Sequence, residues 1–307
     1  MRRPLTGPCL TATALLITTS LTAPAAAYVQ ARDRVTHAPL RWGSSEVLLT
    51  LSARRTSQDL DAVAVTRALE QAAARWTREV GCDGLAIRVA PPSPAADRVR
   101  RDGVNAVVFH ERTWARNGDA DDARRGYDVE VQAMTTTYLD RDRARGVAWI
   151  AEADLELNGV HFRWLADDAP VRTRRDARLR DVLVHELGHV LGLSHDCNDG
   201  FLHPGAVDHR GRRPSPCAHG PARGSPAMSP DPTPASVPVL LAPDERHAVC
   251  DLYPGASPLK TLPGGRGCAV ALAREGPKAG AVASILGALL VAQWRRGARR
   301  PCAGRSR

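Results

Sequence analysis

The sequence has no C-x2-C pair, although it holds 7 cysteines. That absence removes the ribbon and finger types of structural zinc site, which depend on closely paired cysteines. It also lacks a charge surplus where a folded core would lie. Of the formal net charge of +9, Arg2 and Arg3 supply +2 and the stretch 269–307 supplies +7, so residues 28–268 balance to zero. A neutral core offers no footprint for nucleic acid, and no such partner is expected. Residues 28–45 lack a cysteine that could cap a metal, and they are too few for a folded inhibitory segment. Hydrophobic content is not short: 43% of 307 residues is ample for one core.

What is present is concentrated at His185-Glu186-Leu187-Gly188-His189-Val190-Leu191-Gly192-Leu193-Ser194-His195, the pattern H-E-x-x-H-x-x-G-x-x-H. On a helix, His185 and His189 project from one face about a turn apart, so both imidazoles reach one tetrahedral Zn2+. Glu186 points roughly 100° away, beside the metal, where it can act as general base on a zinc-activated water. Gly192 permits a left-handed exit from the helix that returns His195 as third ligand. The open fourth position marks a catalytic site.

The N-terminus reads as a secretory signal over 1–27. Arg2 and Arg3 precede a mostly apolar stretch, and Ala25-Ala26-Ala27 fits an A-x-A cleavage site before Tyr28. The expected destination lies outside the cytoplasm, where disulfides persist. Setting aside Cys9, Cys268 and Cys302 in the terminal stretches leaves Cys82, Cys197, Cys217 and Cys250, which allow three connectivities. The pairs Cys197–Cys217, stapling an irregular loop, and Cys82–Cys250, tying two expected helices, are favoured over the rival reading as extra zinc ligands.

In chain order, Glu46–Ala53 reads as a strand, and Leu60–Val80 as a helix capped by Asp59 and ended by Gly81. Leu85–Ala90 is a second strand, interrupted at Pro91-Pro92-Ser93-Pro94. Asn105–Phe109, Val129–Tyr138 and Val147–Leu157 complete five strands. The polar stretch 110–128 carries Asp119, Asp121, Asp122 and Asp128. It leaves a Ca2+ site and a solvated loop as readings, with the loop favoured by its interleaved arginines. Thr173-x-x-Asp176 resembles a capping box, so the motif helix is expected to begin there, with Leu179, Leu183, Leu187, Val190 and Leu191 on its buried arc. Residues 196–227 read as a surface loop whose His203, His209 and His219 leave an extra ion site and solvent-facing side chains as readings, with the solvent-facing one favoured. The fold class is α+β.

The zinc motif, the downstream turn Ser225-Pro226-Ala227-Met228-Ser229-Pro230, and Leu241-x-x-Asp244-Glu245-x-x-x-Val249-x-x-Leu252-Tyr253 together resemble the metzincin zinc metalloproteases, in particular the matrixin branch. Thr135–Tyr138 and Ala151–Asn158 also look like that branch, and the resemblance spans roughly 46–254. It implies a twisted, mixed five-stranded sheet with an active-site helix, a Met-turn and a C-terminal helix. Met228 would form an apolar floor under the zinc. Met134, Thr135, Thr136, Thr137 and Tyr138 would be an antiparallel edge strand to which an extended polypeptide substrate adds. Pro230–Val237 would form the wall of the pocket beyond the scissile bond, although no tyrosine follows shortly after the Met as matrixins have it. The implied activity is zinc-dependent endopeptidase action on extracellular proteins.

The protease domain is accordingly expected over 46–256, after a short N-terminal segment 28–45. A linker over 257–268 follows, then a tail over 269–307. Ala279–Trp294 is a 16-residue apolar run followed by Arg295, Arg296, Arg299 and Arg300. With Gly267-Cys268 ahead of it, the tail resembles the MYXO-CTERM type of surface-sorting segment. That resemblance implies processing or lipid attachment at Cys268, and a protein held at the cell surface by a membrane or lipid anchor.

Overall fold

The computed structural model describes residues 27–255, apart from 79, 119–125, 201, 203–204, 218–224 and 231–234. The expected signal, the linker and tail with Cys268, the acidic Asp119, Asp121 and Asp122, and His203 and His219 lie outside the described residues.

Five strands form one sheet: β1 (Glu46–Ser52), β2 (Ala86–Ser93), β3 (Asn105–His110), β4 (Ala133–Asp142) and β5 (Val147–Asn158), in the order β2-β1-β3-β5-β4. All neighbours are parallel except the antiparallel β5–β4 pair, in which Thr135 faces Leu155 and Thr137 faces Ala153. The architecture is a mixed α+β sheet. Two shorter strands, β6 (Arg163–Leu165) and β7 (Asp176–Arg178), pair parallel to each other beside it.

Helix α1 (Ala62–Thr77) buries Val65, Leu69, Ala72, Ala73 and Trp76, the three-and-four spacing of one apolar stripe. It lies against α2 (Leu179–Val190), and the Trp76 indole N–H donates to the Val184 carbonyl at 2.7 Å, locking the two together. In α2, Leu179, Leu183, Leu187, Val190 and the following Leu191 are all fully buried, so the expected arc holds. Residues 28–45 are not peripheral. Val29 and Gln30 pair antiparallel with Ser194 and Leu193, and Val29, Leu40 and Trp42 are buried, the last two in the main core cluster.

Several local expectations are corrected. The cap of α1 is Asp61, whose carboxylate accepts from Ala64 N at 2.7 Å, while Asp59 instead accepts from Trp164 N. Strand β2 runs through Pro91 and Pro92 because it is the sheet's edge, where missing N–H donors cost no ladder bond. Strand β4 begins at Ala133 and not Val129, since the chain turns at 129–130. The Thr173–Asp176 box starts no helix. The Asp176 carboxylate accepts from the Arg172 and Thr173 amides and the Thr173 hydroxyl, but it is also gripped by Arg163 at 2.7 and 3.0 Å. That fork ties Asp176 to β6 and makes 176–178 a strand, so α2 starts only at Leu179.

Candidate metal centre

Helix α2 ends where its last carbonyls find unusual partners. Trp42 Nε1–H donates to Val190 O at 2.7 Å, and the Tyr253 hydroxyl donates to Leu191 O at 2.8 Å. Two side chains from opposite ends of the described chain thus satisfy groups that a helix terminus leaves open. Gly192 then takes φ +88°, and a Cβ there would meet the Leu40 carbonyl. Only glycine combines that left-handed backbone with that close approach. The turn carries His195 back over His185 and His189.

The three imidazoles converge, with their nearest ligand atoms all within 4.8 Å of one another. His185 Nε2 lies 3.1 Å from His189 Nε2 and 3.3 Å from His195 Nε2. Each Nδ1 has its own acceptor: His185 donates to Ala227 O at 2.7 Å, His189 to Leu193 O at 2.9 Å, and His195 to the Asp199 carboxylate at 2.6 Å. Those bonds assign the single ring proton of each neutral imidazole to Nδ1, leaving three Nε2 lone pairs facing one point. Such lone pairs repel unless a cation lies between them. Tetrahedral Zn–N bonds of about 2.0–2.1 Å require nitrogens roughly 3.3–3.4 Å apart, so the donor set fits zinc. Burial, then the neighbouring His189 and His195, hold His185 well below the ordinary imidazole range. Burial and His189 lower His195 to about 4 against the opposing Asp199. Both rings are therefore neutral at neutral pH, as ligands must be.

Glu186 is buried beside them, and Thr135 Oγ1 donates to its Oε2 at 2.5 Å. Burial raises the Glu186 pKa, while His189 and the Thr135 hydroxyl oppose the rise. A cleft of about 880 Å³ runs past His185, Glu186 and His189 and is bordered by Thr135 and Thr137 of β4. Of the other expected edge residues, Met134 also lines the cleft. Thr136 instead accepts from Arg116, and burial, with Asp154 next, raises Tyr138 to about 12.

Met228 is buried and fills the space under the helix, since a Cβ on Gly188 would meet its sulfur. Its loop is held by Glu245 on α3 (Pro243–Leu252). That carboxylate accepts from Met228 N at 2.6 Å, Ala227 N at 3.2 Å and Ala242 N at 2.6 Å. Burial raises Glu245 to about 7 despite those three donors. Cys82 is bonded to Cys250 and Cys197 to Cys217. Among the described residues the three histidines are the one group of three or more His, Cys, Asp or Glu side chains placed to hold a metal, and Asp119, Asp121 and Asp122 of the expected calcium loop lie outside those residues.

Sequence reasoning missed Asp199, whose i,i+4 spacing from His195 was the available signal, and the contact between Thr135 and Glu186. It also left Trp42 in a segment with no assigned role.

A family model, Reprolysin_5, described as Metallo-peptidase family M12, matches residues 94–238. No curated protein matches the chain. The matched stretch contains β3 to β7, α2, all three histidines and Met228. The match and the histidine cluster together support a metzincin-like zinc metalloprotease, a hydrolase acting on peptide bonds.

Proposed function

We propose that the protein is a secreted, surface-tethered zinc endopeptidase of the matrixin-like metzincin kind that cuts extended polypeptides outside the cytoplasm. The observation that carries this reading is the convergence of three proton-free Nε2 atoms and a buried carboxylate in a cleft bordered by β4, the outermost strand of the sheet among the described residues. The N-terminal Ala25-Ala26-Ala27 signature, the two disulfides and the Cys268 tail support export and tethering. Met228 on its Glu245-held turn and Tyr253 at the end of α3 support the matrixin-like assignment.

His185, His189 and His195 would hold the metal, fixed in the donor tautomer by Ala227, Leu193 and Asp199. When bound, zinc supplies Lewis acidity that polarises a carbonyl and lowers the pKa of water towards about 7. Glu186 accepts the proton of the attacking water on its carboxylate, then returns it to the leaving amine. Thr135 fixes the Glu186 carboxylate by one oxygen. The outer edge of β4, unpaired among the described residues, aligns the substrate backbone by strand addition.

Glu186→Gln should keep its zinc and lose about 10²–10⁴-fold in turnover. The check is metal content alongside hydrolysis of a denatured protein, with and without a zinc chelator. Turnover at the wild-type level by the zinc-loaded variant would refute the assignment.

A further inference from the structure

Glu186 lies on α2, yet the one hydrogen-bond donor that reaches its carboxylate among the described residues comes from another element. Thr135 of β4 donates through Oγ1 to Glu186 Oε2 at 2.5 Å, and the same hydroxyl lies 3.3 Å from the Glu186 carbonyl oxygen. One hydroxyl proton serves one acceptor well, and the nearer, charged oxygen takes it. Glu186 is 4% exposed, so water does not readily replace that donor. The other oxygen, Oε1, takes no such bond and keeps contact with the cleft that Glu186 lines.

The donor's own support is one-sided. Among the described residues β4 is bonded only to β5, where Thr135 faces Leu155, and its outer edge has no partner strand. Side chains alternate along it, so Thr135 and Thr137 border the cleft while Thr136 turns to Arg116. A strand bonded on one side is held by half the ladder of a central strand, and strand addition supplies the other half. Threonine is branched at Cβ and stiff about χ1, so its hydroxyl moves with the backbone of β4. The position of that backbone therefore sets where the Glu186 carboxylate is held. A side chain that only filled the space would need no hydroxyl.

We propose that Thr135 is a positioning residue that couples substrate pairing on β4 to the alignment of Glu186. This rests on the endopeptidase reading above and adds how substrate occupancy regulates that site. An extended peptide added to the outer edge of β4 fixes the strand. The strand fixes the Thr135 hydroxyl, which holds Oε2 and leaves Oε1 for the attacking water. Backbone contacts remote from the cut then raise turnover as well as affinity, because their binding energy is realised in the alignment of the base. No bond forms or breaks at Thr135, and its proton stays on Oγ1.

The test uses the purified, zinc-loaded full chain and peptides that share the residues around the cut but differ in backbone length on either side of it. In the wild type, extension should raise kcat and lower KM. Thr135→Val, which keeps the branched shape and removes the donor, should lose about 10–100-fold in kcat on the longest peptide, the range of a hydrogen bond to a charged group. Its zinc affinity should match wild type, and extension should lower its KM while leaving kcat flat. Thr135→Ser, which returns the hydroxyl, should recover most of the loss. A wild-type kcat indifferent to length, a Thr135→Val variant with wild-type kcat, or a Thr135→Ser variant no better than Thr135→Val overturns the inference while the protease reading stands. A fall in kcat that comes with weakened zinc binding marks structural damage and overturns it too. Absence of any chelator-sensitive cleavage by the wild type fails the protease reading, and this inference with it. If Thr135→Val does not fold, Thr135→Ala takes its place in the same comparison.

Discussion

Asp199 shows how much of a metal site lies outside its ligands. Its carboxylate receives the His195 Nδ1 proton at 2.6 Å, so it sets both the tautomer and the aim of the third imidazole. The partners of His185 and His189 are backbone carbonyls, which no substitution removes. His195 alone depends on a side chain. Asp199→Asn should therefore weaken zinc binding by about 10–100-fold while leaving the fold intact. Competition with a chromogenic chelator measures it, and affinity equal to wild type would remove Asp199 from the site. Glu245 works at the same scale on the floor of the site, where one carboxylate fixes the amides of Ala227 and Met228.

At the scale of elements, helix α2 is held between α1 and the Met228 turn, and Gly188 is where they come closest. A Cβ on Gly188 would meet the Met228 sulfur and come within 3.0 Å of Trp76 Cζ2. Trp76 cannot retreat, because it is fully buried and its indole is bonded to Val184 O. Gly188→Ala gains about 1 kcal/mol of helix propensity but overpacks a closed site at about 1–3 kcal/mol. Net destabilisation is expected, read from the midpoint of urea unfolding; a variant more stable than wild type would mean the contact relaxes freely. The elements were legible in the sequence to different degrees. The zinc motif, the five strands and the buried arc of α2 could be read because periodicity and spacing encode them locally. The start of α2 could not. Thr173 and Asp176 have the chemistry of a cap, but Arg163, ten residues upstream of Thr173, takes the carboxylate and makes a strand. The path of β2 through two prolines was hidden for a related reason, since edge position is a property of the sheet and not of the segment. The roles of Trp42 and Asp199 rest on distant or irregular partners that no pattern announces.

At the scale of the whole molecule, the two faces of β5 do different work. Ala153, Leu155 and Leu157 enter the core, while Glu152, Asp154, Glu156 and Asn158 alternate with them and are also buried. These polar groups tie the sheet to the loops that cover it. Glu152 accepts from the amides of Asp102 and Gly103, Asp154 from Ala106 N at 2.8 Å and Arg100 N at 3.0 Å, and Glu156 from the Tyr127 hydroxyl and Asn117 N. Burial raises Asp154 to about 7, with the charges of Glu152 and Asp102 adding and its two amide donors opposing. A carboxylate whose folded pKa lies above its unfolded value binds more protons in the native state. Its contribution to stability is complete below about 3.8 and is lost as pH rises through about 7. His185 and His195 act in the opposite direction over part of that window, because their lowered values remove stability as pH falls below 6.5. Asp33 and Asp176 are held low, chiefly by Arg141 and Arg163, and lose their contribution only below 3.8. The wild-type profile alone therefore mixes these signs, but a difference isolates Asp154. Asp154→Asn carries a constant cost, since its NH2 must face the backbone N–H of either Ala106 or Arg100. Against that offset, wild type should lose stability relative to the variant between pH 4 and 8, by up to roughly 4 kcal/mol. Urea unfolding of both proteins across that range measures it. A difference that stays flat with pH would show that Asp154 is ionised throughout, with its two amide donors outweighing burial.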